Sequence, residues 1–109
     1  MFTKELTKEQ FEKEVLYNAD AAMVDFYATW CGPCKMMEPA VEQIARQYPR
    51  LFVGKVNIDN ELLLTSQYKI AGIPTLCFFR NGTEVLRVVG LRSKEEIEHI
   101  LKQLYSTIE

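Results

Sequence analysis

The chain has 109 residues, room for one hydrophobic core and too little for two, so a single domain over residues 1–109 is expected. Hydrophobic residues make up 48% and charged residues 26%, and the net charge of −2 leaves no electrostatic footprint for nucleic acid or an acidic membrane surface as partner. The opening "MFTKELTKEQFEKEV" lacks a basic leader followed by an apolar segment, and no apolar run is long enough to span a bilayer, which reads as a cytoplasmic protein.

In chain order, Thr7 followed by Gln10 forms a capping-box pair, and Phe11, Val15 and Leu16 fall on one face of the helix it opens. The run "AAMVDFYA" (21–28) is β-prone and apolar apart from Asp25, the pattern of a strand covered on both faces. Beyond Cys31-Gly32-Pro33-Cys34, residues Met37, Val41, Ile44, Ala45 and Tyr48 recur at helical spacing up to Pro49, and Pro39 inside that helix is expected to bend it. "LFVGKVNI" (51–58) reads as a second buried strand and "DNELLLTSQY" (59–68) as a short helix. "TLCFFRNGTEVLRVVG" (75–90) reads as a hairpin turning at Asn81-Gly82. "SKEEIEHILKQLYSTI" (93–108) closes the chain with a second capping box, Ser93 and Glu96, and a stripe of Ile97, Ile100, Leu101 and Leu104. Strands joined by helical crossovers run parallel and hairpin strands antiparallel, so the expected class is α/β, a mixed sheet with helices on both faces.

Three cysteines are a poor disulfide framework, and a close pair in a reducing compartment points to catalysis or metal rather than a staple. On a regular helix, Cβ atoms three residues apart are about 5 to 6 Å from each other, whereas a disulfide needs roughly 3.5 to 4.5 Å. Closure between Cys31 and Cys34 therefore requires Cys31 to be non-helical, in an N-cap position, with Gly32 unobstructed and Pro33 presetting the first turn. The same placement aims free N–H groups and the positive end of the helix dipole at Cys31, favouring an anion there, with Lys35 adding to the effect. Cys34, one turn further in, is suited to resolve a mixed disulfide.

Rival readings of the pair are a structural staple and a zinc site. Zinc needs four ligands, and only His99 on the last helix and Cys77 within a strand remain to supply them, so no metal is expected. Cys77, flanked by bulky apolar residues, reads as a small buried hydrophobe. Asp25, in a run with no other charge, should be desolvated, with its pKa raised so that it can take a proton near neutrality; the rival reading is an exposed residue on an edge strand. Trp30 reads either as core or as surface.

The segments "VDFYATWCGPCKMMEP", "KVNID", "GIPTL", "FFRNG" and "VVG" before a final helix occur here in the order and spacing of the thioredoxin family, which the chain resembles over essentially its whole length. The resemblance implies the thioredoxin fold, with a central mixed sheet of about five strands, and general protein-disulfide reduction by dithiol-disulfide exchange. By it, Cys31 is the nucleophile with the lowered thiol pKa characteristic of the family, Cys34 resolves, and Asp25 is the proton acceptor, with Lys55 nearby in support. It also implies a cis Ile73-Pro74 bond, and a docking patch of Trp30, Gly32, Pro33, Ile73, Pro74 and Gly90 that binds targets partly through backbone pairing. No cofactor beyond the Cys31–Cys34 disulfide is expected, and the partners implied are a thioredoxin reductase and disulfide-containing target proteins, met as a monomer. Gly-Pro between the cysteines resembles the reductants of the family; a disulfide oxidase or isomerase, or a non-catalytic binding subunit, is the alternative. Tyr27 departs from the tryptophan many members carry.

Overall fold

In the computed structural model, which describes residues 1–106 and 108, five strands share one sheet. They are β1 (Lys4–Glu5), β2 (Ala21–Tyr27), β3 (Phe52–Asn57), β4 (Thr75–Arg80) and β5 (Thr83–Val89), in the spatial order β1-β3-β2-β4-β5. Helix α1 (Lys8–Phe11) precedes β2, α2 (Gly32–Gln47) links β2 to β3, α3 (Leu62–Gln67) links β3 to β4, and α4 (Lys94–Leu104) follows β5.

Strands β1, β2 and β3 are parallel, while β4 is antiparallel to both β2 and β5. The mixed sheet is as expected, but the crossover through α3 does not return the chain in parallel. Six residues of helix rise only about 9 Å, against the roughly 20 Å of a six-residue strand. The chain therefore re-enters the sheet at the end it has just left, and Thr75 pairs with Phe26 near the C-terminal end of β2.

Alternation along the strands divides the core. Met23, Leu76, Phe78 and Val53 face α2 and α4, where they meet Met37, Ile44, Ile97 and Leu101. Ala22, Val24, Phe26, Cys77 and Phe79 face the other way, against Phe11, Val15 and Leu64. Because side chains alternate with period two, Asp25 falls on the Met23 face, beneath α2, and its register partner Lys55 falls on the same face of β3.

Both capping boxes form, at Thr7 with Gln10 and at Ser93 with Glu96. The first helix widens to π-type winding over Glu12–Asn18. Pro39 leaves α2 unbroken; it is exposed, so the Lys35 carbonyl deprived of its helical N–H lies on the solvent side of the helix. The last helix ends at Leu104, earlier than its sequence pattern, because Tyr105 turns inward and its hydroxyl donates to the carbonyl oxygens of Phe79 at 2.8 Å and Ala22 at 3.3 Å. The expected helical residue at 107 lies outside the described residues.

β1 was not expected from the sequence. It pairs with β3 where Gly54 leaves space for Leu6: a Cβ on Gly54 would come within 2.5 Å of Leu6 Cδ1. At the hairpin, Asn81 (φ 50°) and Gly82 (φ 81°) are both left-handed, the backbone that an Asn-Gly turn between twisted strands requires.

Candidate active site

The chain leaves the C-terminal end of β2 through Ala28–Trp30 and enters α2 at Cys31. Cys31 is extended (φ −92°, ψ 113°) and caps the helix, its Sγ accepting the Cys34 N–H at 3.2 Å, with Pro33 in the first turn. The extended cap brings the Cα atoms to 5.3 Å, and the two cysteines are joined in a disulfide. Both are buried against Ala28, with Tyr27, Ile58 and Ile73 packed around them.

Opposite the pair, Ile73-Pro74 is a cis peptide. Gly90 (φ 99°) donates its N–H to the Pro74 carbonyl at 2.7 Å, and the Thr75 hydroxyl donates to the Gly72 carbonyl at 2.5 Å. Pro74 is buried, Ile73 and Gly90 are half-buried, and Gly32 and Pro33 are exposed. Trp30 is 67% exposed, which removes the core reading, and its indole N–H donates to Asp59 Oδ2 at 2.8 Å.

Behind Cys34 lies a cavity of about 130 Å³ whose lining includes Asp25, Lys35, Glu38 and Lys55. Asp25 is 5% exposed and its Oδ1 has no hydrogen-bond partner. Burial pushes its carboxyl up to about 7; Lys55 opposes that rise, and Glu38 and Glu5 add to it. The exposed-edge reading of Asp25 is thereby excluded. Lys55 Nζ lies 5.2 Å from the centre of the Tyr27 ring, and the Tyr27 hydroxyl donates to Glu5 Oε1 at 2.5 Å. Lys35 is exposed at the cavity rim.

Among the described residues no three His, Cys, Asp or Glu side chains are grouped to hold a metal ion. His99 is exposed on α4 beside Gln103, whereas Cys77 is wholly buried in β4 with its thiol pushed up to about 12 by burial. Among the described residues, no helix is long and apolar enough to cross a membrane.

The family model described as thioredoxin matches residues 2–103. The chain belongs to the thioredoxin family. It is 38% identical over 100 residues to a thioredoxin of Chlamydia pneumoniae, covering 92% of this chain and 96% of that one. It is 42% identical over 100 residues to thioredoxin 1 of a Nostoc species (91% and 94% covered), and 43% identical over 97 residues to thioredoxin 1 of Synechococcus elongatus (88% and 91% covered). The five-stranded sheet with its helices is thus the thioredoxin fold, and the Cys31–Cys34 disulfide gives this family member the chemistry of a disulfide oxidoreductase, dithiol-disulfide exchange.

Four residues around this thioredoxin-family site have no role assigned to them from the sequence. Asp59 and Glu38 look like ordinary surface acids, yet one holds Trp30 and the other lines the Asp25 cavity. Thr3 and Glu42 meet across a separation of 39 residues, which no local pattern encodes.

Proposed function

We propose that the protein is a general protein-disulfide reductase in which Cys31 attacks, Cys34 resolves and Asp25 receives the Cys34 proton. The Cys31 thiolate attacks a target disulfide sulfur, forming a mixed disulfide and releasing one target thiolate. Cys34 then gives up its proton, attacks Cys31 Sγ and expels the second target thiolate; the target is reduced by two electrons, and Cys31 and Cys34 are oxidised. The observation that carries this reading is the capping of α2 by Cys31 Sγ, which accepts a backbone N–H at 3.2 Å where the helix dipole also favours negative charge. Asp25 suits the proton role because its carboxyl, whose Oδ1 has no hydrogen-bond partner, lines the same cavity as Cys34.

Trp30, Gly32, Pro33, Ile73, Pro74 and Gly90 form the surface on which targets dock, favoured by the exposed indole and by the half-buried Ile73 against the cysteines. Lys35 supports the Cys31 anion, and Lys55 the charge on Asp25, whose ionisation it favours. A thioredoxin reductase returns electrons to the pair. The protein works as a monomer in the cytoplasm, where a reductant is kept reduced.

Cys31→Ser should abolish reduction of a protein disulfide, and Cys34→Ser should accumulate mixed disulfides with targets. Asp25→Asn should slow release of the target from the mixed disulfide about tenfold or more and leave the first attack nearly unchanged. Retained reduction by Cys31→Ser would refute the catalytic role in favour of a binding subunit. A redox titration separates reductant from oxidase or isomerase, since each 30 mV or so is about 1.4 kcal/mol of driving force.

A further inference from the structure

Among the described residues, two buried side-chain oxygens have no hydrogen-bond partner, Asp25 Oδ1 and Thr3 Oγ1. Both residues line the cavity that reaches Cys34. Thr3 is 7% exposed and Asp25 5%, so neither finds a partner by facing bulk solvent. Orphaned polar atoms in a buried site are ordinarily satisfied by ordered water, and about 130 Å³ is ample beside the roughly 30 Å³ that a water occupies in the liquid.

Thr3 is held over this cavity by α2. Glu42 accepts the Phe2 N–H on Oε2 at 2.6 Å and the Thr3 N–H on Oε1 at 3.0 Å. These two N–H groups, Phe2 first, hold the Glu42 carboxyl down to about 2, so the clasp stays charged wherever thiol exchange runs. The Thr3 hydroxyl lies near enough to the Glu42 carboxylate to lower it a little further, short of a hydrogen bond of normal geometry.

We propose that Glu42 straps residues 1–3 across the Asp25 cavity, and that the Thr3 hydroxyl is a positioning residue through which cavity water passes a proton between Asp25 and solvent. The proposal rests on the reading that Asp25 takes the Cys34 proton. As Cys34 sulfur attacks the mixed disulfide, its proton goes to Asp25. Asp25 then returns a proton to water, and the Thr3 hydroxyl accepts one hydrogen and passes its own outward, ending unchanged. The other groups around Asp25 are Lys55 from the neighbouring β3, Glu5 from β1 beyond it, Glu38 and Lys35 from α2, the Tyr27 hydroxyl from β2 itself, and Met1 with its terminal ammonium at the cavity lining. None of these side chains is substituted in the variants below.

The test is single-turnover release of a target peptide from its mixed disulfide with Cys31, followed from pH about 5 to about 9, with the Asp25 carboxyl titrated in parallel by NMR. Thr3→Val should slow release about tenfold, whereas Thr3→Ser, which keeps the hydroxyl, should match the parent. Glu42→Ala should open the cavity to water and move the midpoint of the profile, and of the Asp25 titration, down by about one pH unit. Glu42→Gln, which keeps an acceptor, should fall between. Equal rates for Thr3→Val and Thr3→Ser, or an unmoved midpoint in Glu42→Ala, overturn the proposal. If Asp25→Asn is slow while those variants behave as the parent, only the strap and relay fail; if Asp25→Asn also releases at the parental rate, the assignment of Asp25 fails with them.

Discussion

At Asp25, proton concentration acts on stability. Its carboxyl sits at about 7 in the folded protein against an ordinary value of 3.8, so between those values the folded state binds more protons than the unfolded chain. Stability contributed by this group is fully present below the unfolded value and is lost as pH rises through about 7. The gap of about 3 pH units corresponds to an upper figure of roughly 4 kcal/mol. Asp25→Asn should therefore be more stable than the parent at pH about 8, by a margin that shrinks toward pH about 4; urea unfolding of the oxidised proteins at both values measures it. That Asp25 would be buried was legible from its uncharged surroundings in "AAMVDFYA", and the cap position of Cys31 from the geometry a bridge demands. What surrounds them was not: the acids nearest Asp25 come from β1 and α2, and a residue's charge says nothing about which cavity it will border.

At the scale of elements, legibility followed local pattern. The capping boxes, the two apolar strands and the Asn-Gly turn each carry their signal within a few consecutive residues, and each formed. β1 did not announce itself, since two charged residues have no strand pattern and their pairing depends on Gly54 making room for Leu6. The direction of β4 departs from the sequence pattern for a related reason: the shortness of α3, not the presence of a helix, decides where the chain re-enters the sheet. The hairpin gives the sharpest test of this level. A Cβ on Gly82 would run into the backbone carbonyl of Leu16, and the residue's φ of 81° is unfavourable for any L side chain. Gly82→Ala should cost about 2 kcal/mol or more, read as a fall in the urea midpoint with little change in slope.

Over the whole molecule, the sheet separates two apolar layers, and the chain's end ties them to it. The Tyr105 hydroxyl donates to carbonyls on β2 and β4, two strands that meet only in the folded sheet. Tyr105→Phe keeps the ring in its layer and should cost about 1 kcal/mol, seen as a lowered Tm with dithiol-disulfide exchange unchanged. Helices on both faces leave the loops at the C-terminal ends of β2 and β3 as the place where Cys31, Trp30 and Asp59 can gather. There the chain's single tryptophan stands beside the cysteine pair, two-thirds exposed and tethered to Asp59. Indole emission is quenched by a neighbouring disulfide and shifts in colour when a bound partner shields the ring from water. With no second tryptophan to dilute it, the emission of this protein should change on reduction of the disulfide and on docking of a partner, which comparing spectra of the oxidised, reduced and target-bound protein checks without an attached dye.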